Sequence, residues 1–276
     1  MVRSSRPPSG GGEPQADPQL ASDPGANRRA VDIHQKKSRH IPDDQAAEGV
    51  GDYWVWRAIA LPSRLRITSY ISQERSEAAA STFIQYLRAS SDGQAPFFTS
   101  DKLPAYIAAL VANYSVAESP PVKRGRGRPR KEPKRIIDQR LCYAQVDKRR
   151  AGGRVVEVHR RIIFGTAQEI AAIIKADGCG SQVNTAYVER NNLTMRQNVG
   201  RLVRKTLSFS KSEHYLQRHI ELEDAIYNFV KPHLSLRRRW HGEEHKGRKW
   251  EQRTPAMAAG LTDHIWSIEE LLEFHD

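Results

Sequence analysis

Asn184-Thr185-Ala186-Tyr187-Val188-Glu189-Arg190-Asn191-Asn192-Leu193-Thr194-Met195-Arg196 opens a stretch that runs on to Glu213 and sets the reading of the whole chain. At about 100° per residue, Val188, Met195, Val199 and Leu202 fall on one narrow stripe, the pattern of a helix with one face in a core. Arg190, Arg201, Arg204 and Lys205 lie away from that stripe. Glu189 sits at its edge, on the side of Asn192 and Arg196, where a carboxylate can reach into a cleft. Thr185, or Asn184 before it, suits the N-cap. On physical grounds alone, a surface glutamate on a basic amphipathic helix is the plainer reading.

Upstream, the chain alternates. From Tyr53 to Leu61, Trp54, Trp56, Ala58 and Ala60 point one way, and Val55, Ile59 and Leu61 the other. Pro62-Ser63 marks a turn before Leu65, Ile67, Ser69 and Ile71 alternate again, which predicts a β-hairpin. Glu74 to Arg88 has helical spacing at Phe83, Ile84 and Leu87. Pro96 to Ser100 reads as a short strand ending at Asp101, with a helix from Leu103 to Ala112. A carboxylate at the end of a strand is a common site position in α/β sheets, although by itself an Asp there is more often a helix N-cap. Two further strands, Leu141–Val146 and Val155–Phe164, flank a basic Gly-Gly turn. Thr166 to Lys175 and Glu213 to Val230 have the pattern of helices.

The wording of the central stretch, with Arg204-Lys205-Thr206 and Phe209-Ser210-Lys211 after it, resembles the catalytic region of insertion-sequence transposases of the IS-one type. In that family the glutamate of the V-E-R-x-N-L-x-M-R run closes an Asp-Asp-Glu metal triad, which the resemblance carries onto Glu189. Phe98-Thr99-Ser100-Asp101, with Tyr106, resembles the segment holding the second aspartate, with Lys102 where the pattern has glycine. The first aspartate belongs on a first, central strand. Val31-Asp32-Ile33 is the best candidate for it, and Asp32 takes the role, with Asp52 as the alternative. The apolar run around Asp32 is short, so the expectation is a shortened family member of weak or lost activity, with ordered structure beginning in earnest at Tyr53.

The resemblance implies an α/β, RNase H-like mixed sheet flanked by helices, with an inserted basic linker and β-hairpin. Residues 1–45 read as a disordered or degenerate N-terminal segment, 46–235 as the catalytic domain, and 236–276 as a C-terminal loop and short helix. The implied chemistry is DNA cleavage and strand transfer by two Mg²⁺ (or Mn²⁺) ions held by Asp32, Asp101 and Glu189. Arg190, Arg196, Arg204 and Lys205 are candidate DNA contacts. The implied partners are transposon ends and target DNA, bound by a homo-oligomer. Two rivals remain: an RNase H-like nuclease that never joins ends, and a non-catalytic remnant that binds A·T-rich DNA.

Composition agrees with a polyanionic partner. Lys and Arg number 44 against 32 acids, a formal charge of +12, and such an excess favours nucleic acid. Residues 118–135 form the linker, and its Arg126-Gly127-Arg128-Pro129-Arg130 is the core of an AT-hook. Gly127 lets the backbone press on a minor-groove floor while Arg126 and Arg128 enter it. A generic basic tether on phosphates is the plainer reading. His241-Gly242-Glu243-Glu244-His245 matches a zinc-protease spelling, but its glycine and lack of helical periodicity argue against a metal site there. Two cysteines make no C-x-x-C pair. With no apolar run for a membrane and no signal-peptide core, the expectation is a cytoplasmic, nucleoid-associated bacterial protein.

Overall fold

The computed structural model describes residues 30–35, 53–118, 135–178, 180–203, 210, 212–240 and 249–274. At its centre is a six-stranded mixed sheet. In chain order its strands are β1 (Ala30–Gln35), β2 (Trp54–Ala60), β3 (Arg66–Ser72), β4 (Phe97–Asp101), β7 (Cys142–Ala151) and β8 (Arg154–Phe164), and in space the order is β3-β2-β1-β4-β7-β8. The short pair β5 (Ser115–Ala117) and β6 (Arg135–Ile137) stands apart from the sheet and closes the base of the linker.

β1 lies upstream of Tyr53, where the sequence reading put the onset of order. It pairs antiparallel with β2 and parallel with β4, so it is an interior strand despite its six residues. A short apolar run suffices there because neighbours on both sides satisfy its backbone hydrogen bonds.

Each face of the sheet carries its own helices. On one face, α1 (Glu77–Ala89) and α2 (Ala105–Asn113) bury Phe83, Ile84, Leu87, Tyr106 and Leu110 against Trp56, Phe98 and Tyr143. On the other face, α3 (Ala167–Asp177) and α4 (Ala186–Asn198) meet Ile59, Leu61, Phe97, Ala144 and Val146 through Ile170, Ile173, Ile174 and Val188. α5 (Glu213–Ala225) extends this layer, and Met195, Val199, Leu216 and Ile220 close over Val55 and Ile71. The alternation Trp56/Ala58 against Val55/Ile59 is therefore real, but both of its faces are buried.

One residue breaks that alternation. Arg57, on the Val55/Ile59 face, is fully buried, and so is Arg66 of β3. Arg57 Nη1 donates to Asn191 Oδ1 of α4 at 2.8 Å, its Nη2 to Asp224 of α5 at 2.9 Å, and its Nε to Ser69 Oγ at 3.1 Å. Arg66 donates to the same Asn191 oxygen at 3.1 Å and to Asp224 at 3.0 Å, while its guanidinium lies 3.7 Å from the Tyr227 ring. Burial pulls the Arg57 pKa down to about 10, with Asp224 opposing the shift and Arg66 adding to it. At neutral pH Arg57 is therefore still a cation, and its partners must stay in place.

After Ala225 the helix widens into a π-turn, Ile226–Val230. There Asn228 exchanges both of its amide bonds with the backbone of Arg66 on the edge strand, at 3.0 and 2.9 Å. The C-terminal segment docks on the same turn. It comprises α6 (Pro255–Ala259) and α7 (Ile268–Glu273), the latter opened by a Ser267/Glu270 capping box, and the Trp266 ring lies 4.6 Å from that of Phe229.

Removing one partner of the buried pair should cost far more than removing both. Asp224→Leu alone is expected to lower stability in urea by about 3–5 kcal/mol, and adding Arg57→Met should recover a large part of that loss.

Candidate active site

α4 begins at Ala186, as its stripe requires, but ends at Asn198. Val199 turns extended and a 3-10 turn, Gly200–Leu202, follows, so the helix is shorter than its apolar stripe suggested. Val188, Met195 and Val199 are buried and Leu202 packs at the rim. Thr185 occupies the N-cap without capping. Its hydroxyl instead donates to Glu189 Oε1 at 2.7 Å, and Asn184 Oδ1 accepts from the Ala186 amide at 3.1 Å. The turn of the β2–β3 hairpin reaches the same end of α4. Arg64, at φ 60, lays its guanidinium 3.7 Å from the Tyr187 ring.

Glu189 is partly exposed, with its side chain 36% accessible. Lys148 of β7 donates to the same Oε1 at 2.5 Å. Nothing in the sequence reading singled out Lys148, which sits in a basic run resembling any solvated turn. The register explains its position. Asp101 pairs with Val146, and two residues along a strand return to the same face, so Lys148 follows Val146 on the α3/α4 side of the sheet.

Asp101 is the last residue of β4 and does not cap α2, whose N-cap is Pro104. Through its pairing it belongs to the face of Phe97 and Thr99, against which α3 and α4 pack. Arg75 Nη2 lies 3.7 Å from its carboxylate. Gln145 Nε2 donates to the Tyr143 hydroxyl at 2.9 Å, that hydroxyl lies 2.6 Å from Ser100 Oγ, and Ser100 Oγ donates to the Asp101 carbonyl at 2.7 Å. Burial pushes the Tyr143 phenol up to about 12, so it stays protonated. Lys102, in place of the expected glycine, pairs with Asp147 at 2.8 Å and holds that carboxyl below its usual range.

Asp32 pairs with Ile59 on one side and Thr99 on the other, one strand over from Asp101 and two residues back along the sheet. The first two aspartates thus occupy neighbouring parallel strands, and α4 contacts β1. Among the described side chains, which do not include Asp32, no three His, Cys, Asp or Glu form a metal cluster. Arg190 is exposed and Arg196 half-buried on α4. Arg126, Gly127, Arg128, Arg130, Arg204, Lys205, Asp52 and the His241–His245 segment lie outside the described residues.

A model of the IS1 transposase family matches residues 167–228. Over that segment, less than a quarter of its length, the chain is similar to IS1 transposases. The match runs through α3, α4, α5 and the π-turn, and so takes in Glu189, Asn191 and Asp224, while Asp32 and Asp101 lie outside it. No curated protein and no solved structure matches the chain. Among the described residues, no helix is long and apolar enough to cross a membrane.

Tyr143→Phe keeps the ring packing and removes the hydroxyl between Ser100 and Gln145. The expected cost is about 1–3 kcal/mol in chemical denaturation, because buried polar groups then lose their partner.

Proposed function

We propose that this chain is a DDE-type transposase built on an RNase H-like sheet, in which Asp32, Asp101 and Glu189 hold two Mg²⁺ or Mn²⁺ ions and the substrate is DNA. The observation that carries this reading is the position of Glu189. It lies within the segment matching IS1 transposases, on a helix packed against the sheet face to which Asp101 belongs. The resemblance also asks for a first aspartate on a central strand, and Asp32 stands on an interior one.

The donor set fits a hard divalent cation, which takes carboxylate oxygens and tolerates incomplete protein coordination. Both described carboxylates already attract positive charge, Glu189 from Lys148 and Asp101 from Arg75. When bound, the ions would activate water or a DNA 3′-OH and neutralise charge on the leaving oxygen. The chain's own residues do the rest. Thr185 and Lys148 fix one oxygen of Glu189, and the Gln145–Tyr143–Ser100 chain fixes the backbone at Asp101. Arg190 and Arg196 project from the Glu189 helix toward phosphates, with Arg204, Lys205 and the AT-hook-like Arg126, Gly127, Arg128 and Arg130 as further contacts on a duplex. A basic chain of this kind binds DNA strongly and in a salt-dependent way.

The test is Mg²⁺-dependent nicking of DNA carrying the element's own ends. Glu189→Gln and Asp101→Asn should each reduce cleavage at least roughly 100-fold while leaving the fold intact by circular dichroism. Cleavage that persists in Glu189→Gln would contradict the assignment. Cleaved ends that never join a target would instead identify a nuclease.

A further inference from the structure

The β7–β8 hairpin is longer than the sheet requires. Past Val146, β7 runs on for five residues, about 17 Å at strand rise, and β8 returns alongside it as the outer edge of the sheet. Gly152 and Gly153, at φ 56 and 76, make the two-residue turn that only positive φ allows. Beyond Lys148 on β7, and before Val158 on β8, every residue of this ribbon is exposed. A two-stranded ribbon with neither face covered has no structural reason to project so far.

Its side chains say what it meets. Between Asp147 and Arg161 there are six Lys and Arg against two acids. Arg149 and His159 share Glu157, and Arg160 donates to the Val183 carbonyl. Arg150, Arg154 and Arg161 make no side-chain hydrogen bond or ion pair among the described residues. Val155 and Val156, 43% and 52% exposed, lie beside the tip. The root of the ribbon is in the candidate active site, since Lys148 grips Glu189.

We propose that the β7–β8 ribbon is a duplex-DNA arm, in which Arg150, Arg154 and Arg161 contact phosphates and the ribbon lies along a groove. The inference rests on the DNA reading above. A major groove admits a two-stranded ribbon, and unpaired arginines are the groups that neutralise its walls. Because Lys148 joins the arm to Glu189, a duplex gripped by the ribbon runs into the carboxylate site. Charged edge strands have a second use, the prevention of edge-to-edge pairing, and the test separates the two.

Binding of a fluorescent 30-base-pair duplex by the full chain would be followed by anisotropy across a salt series. The ribbon variant is Arg150→Gln with Arg154→Gln and Arg161→Gln, and the charge-matched control is Arg88→Gln with Arg140→Gln and Arg218→Gln. The ribbon variant should bind about 10- to 100-fold more weakly, with the salt slope smaller by about 2–3, while the control changes little. Equal losses in both variants would mean bulk charge alone and overturn the arm. Unchanged binding, with new self-association of the ribbon variant, would assign these arginines to edge protection and also overturn it. Failure of the unaltered chain to bind any duplex would overturn the arm and the DNA reading together, a result distinct from the other two.

Discussion

Two guanidinium groups buried beneath α4 constrain this fold more than any other interaction. Taking Arg57 and Arg66 out of water is tolerable only if fixed acceptors surround them. Asn191 and Asp224 are those acceptors, one from α4 and one from α5, and both arginines use both of them. Hairpin, α4 and α5 must therefore assemble as one unit. Glu189 stands two residues before Asn191, so the network that fixes the helix also fixes the carboxylate at its rim. The segment matching IS1 transposases contains both acceptors and the glutamate, while both donors lie far upstream on the hairpin.

A second constraint operates where β4 ends. A strand terminus carrying a carboxylate tends to fray unless its backbone is held, and here the hold is a chain of neutral hydrogen bonds from Gln145 through Tyr143 and Ser100. Neutral groups can be buried beneath an anionic site without adding to its charge. The charged residues stand at the mouth instead: Lys148, Arg75 and the Lys102–Asp147 pair. Two kinds of support thus hold the sheet from opposite faces, a buried ionic network under α4 on one and a buried neutral chain beside β4 on the other.

Much of this was legible in the residues. The spacing of Val188, Met195 and Val199 located the core face of α4, and the alternation around Trp56 located the hairpin, because burial imposes those periods. Other features were not. Arg57 is a single charge on an otherwise apolar strand face, and its partners on α4 and α5 are 134 and 167 residues away, so no local pattern announces them. Its presence on that face was the one available signal. The apolar run of β1 is short because its stability comes from two neighbouring strands rather than from its own composition. The end of α4 was overrun because Val199 and Leu202 stay near the core in a non-helical chain. Thr185 read as a cap because threonine before a helix usually is one, whereas here its hydroxyl serves Glu189.

In the proposed site, Asp101 and Glu189, with Asp32 on the strand between β2 and β4, together hold divalent cations. The most direct measurement is an anomalous difference map from crystals of the full chain soaked in Mn²⁺. The expected result is manganese bonded to the carboxylates of Asp101 and Glu189, with the Lys148 ammonium displaced from Glu189 and Asp32 completing the site. Manganese bound only elsewhere, with the Lys148–Glu189 pair intact at saturating metal, would contradict it.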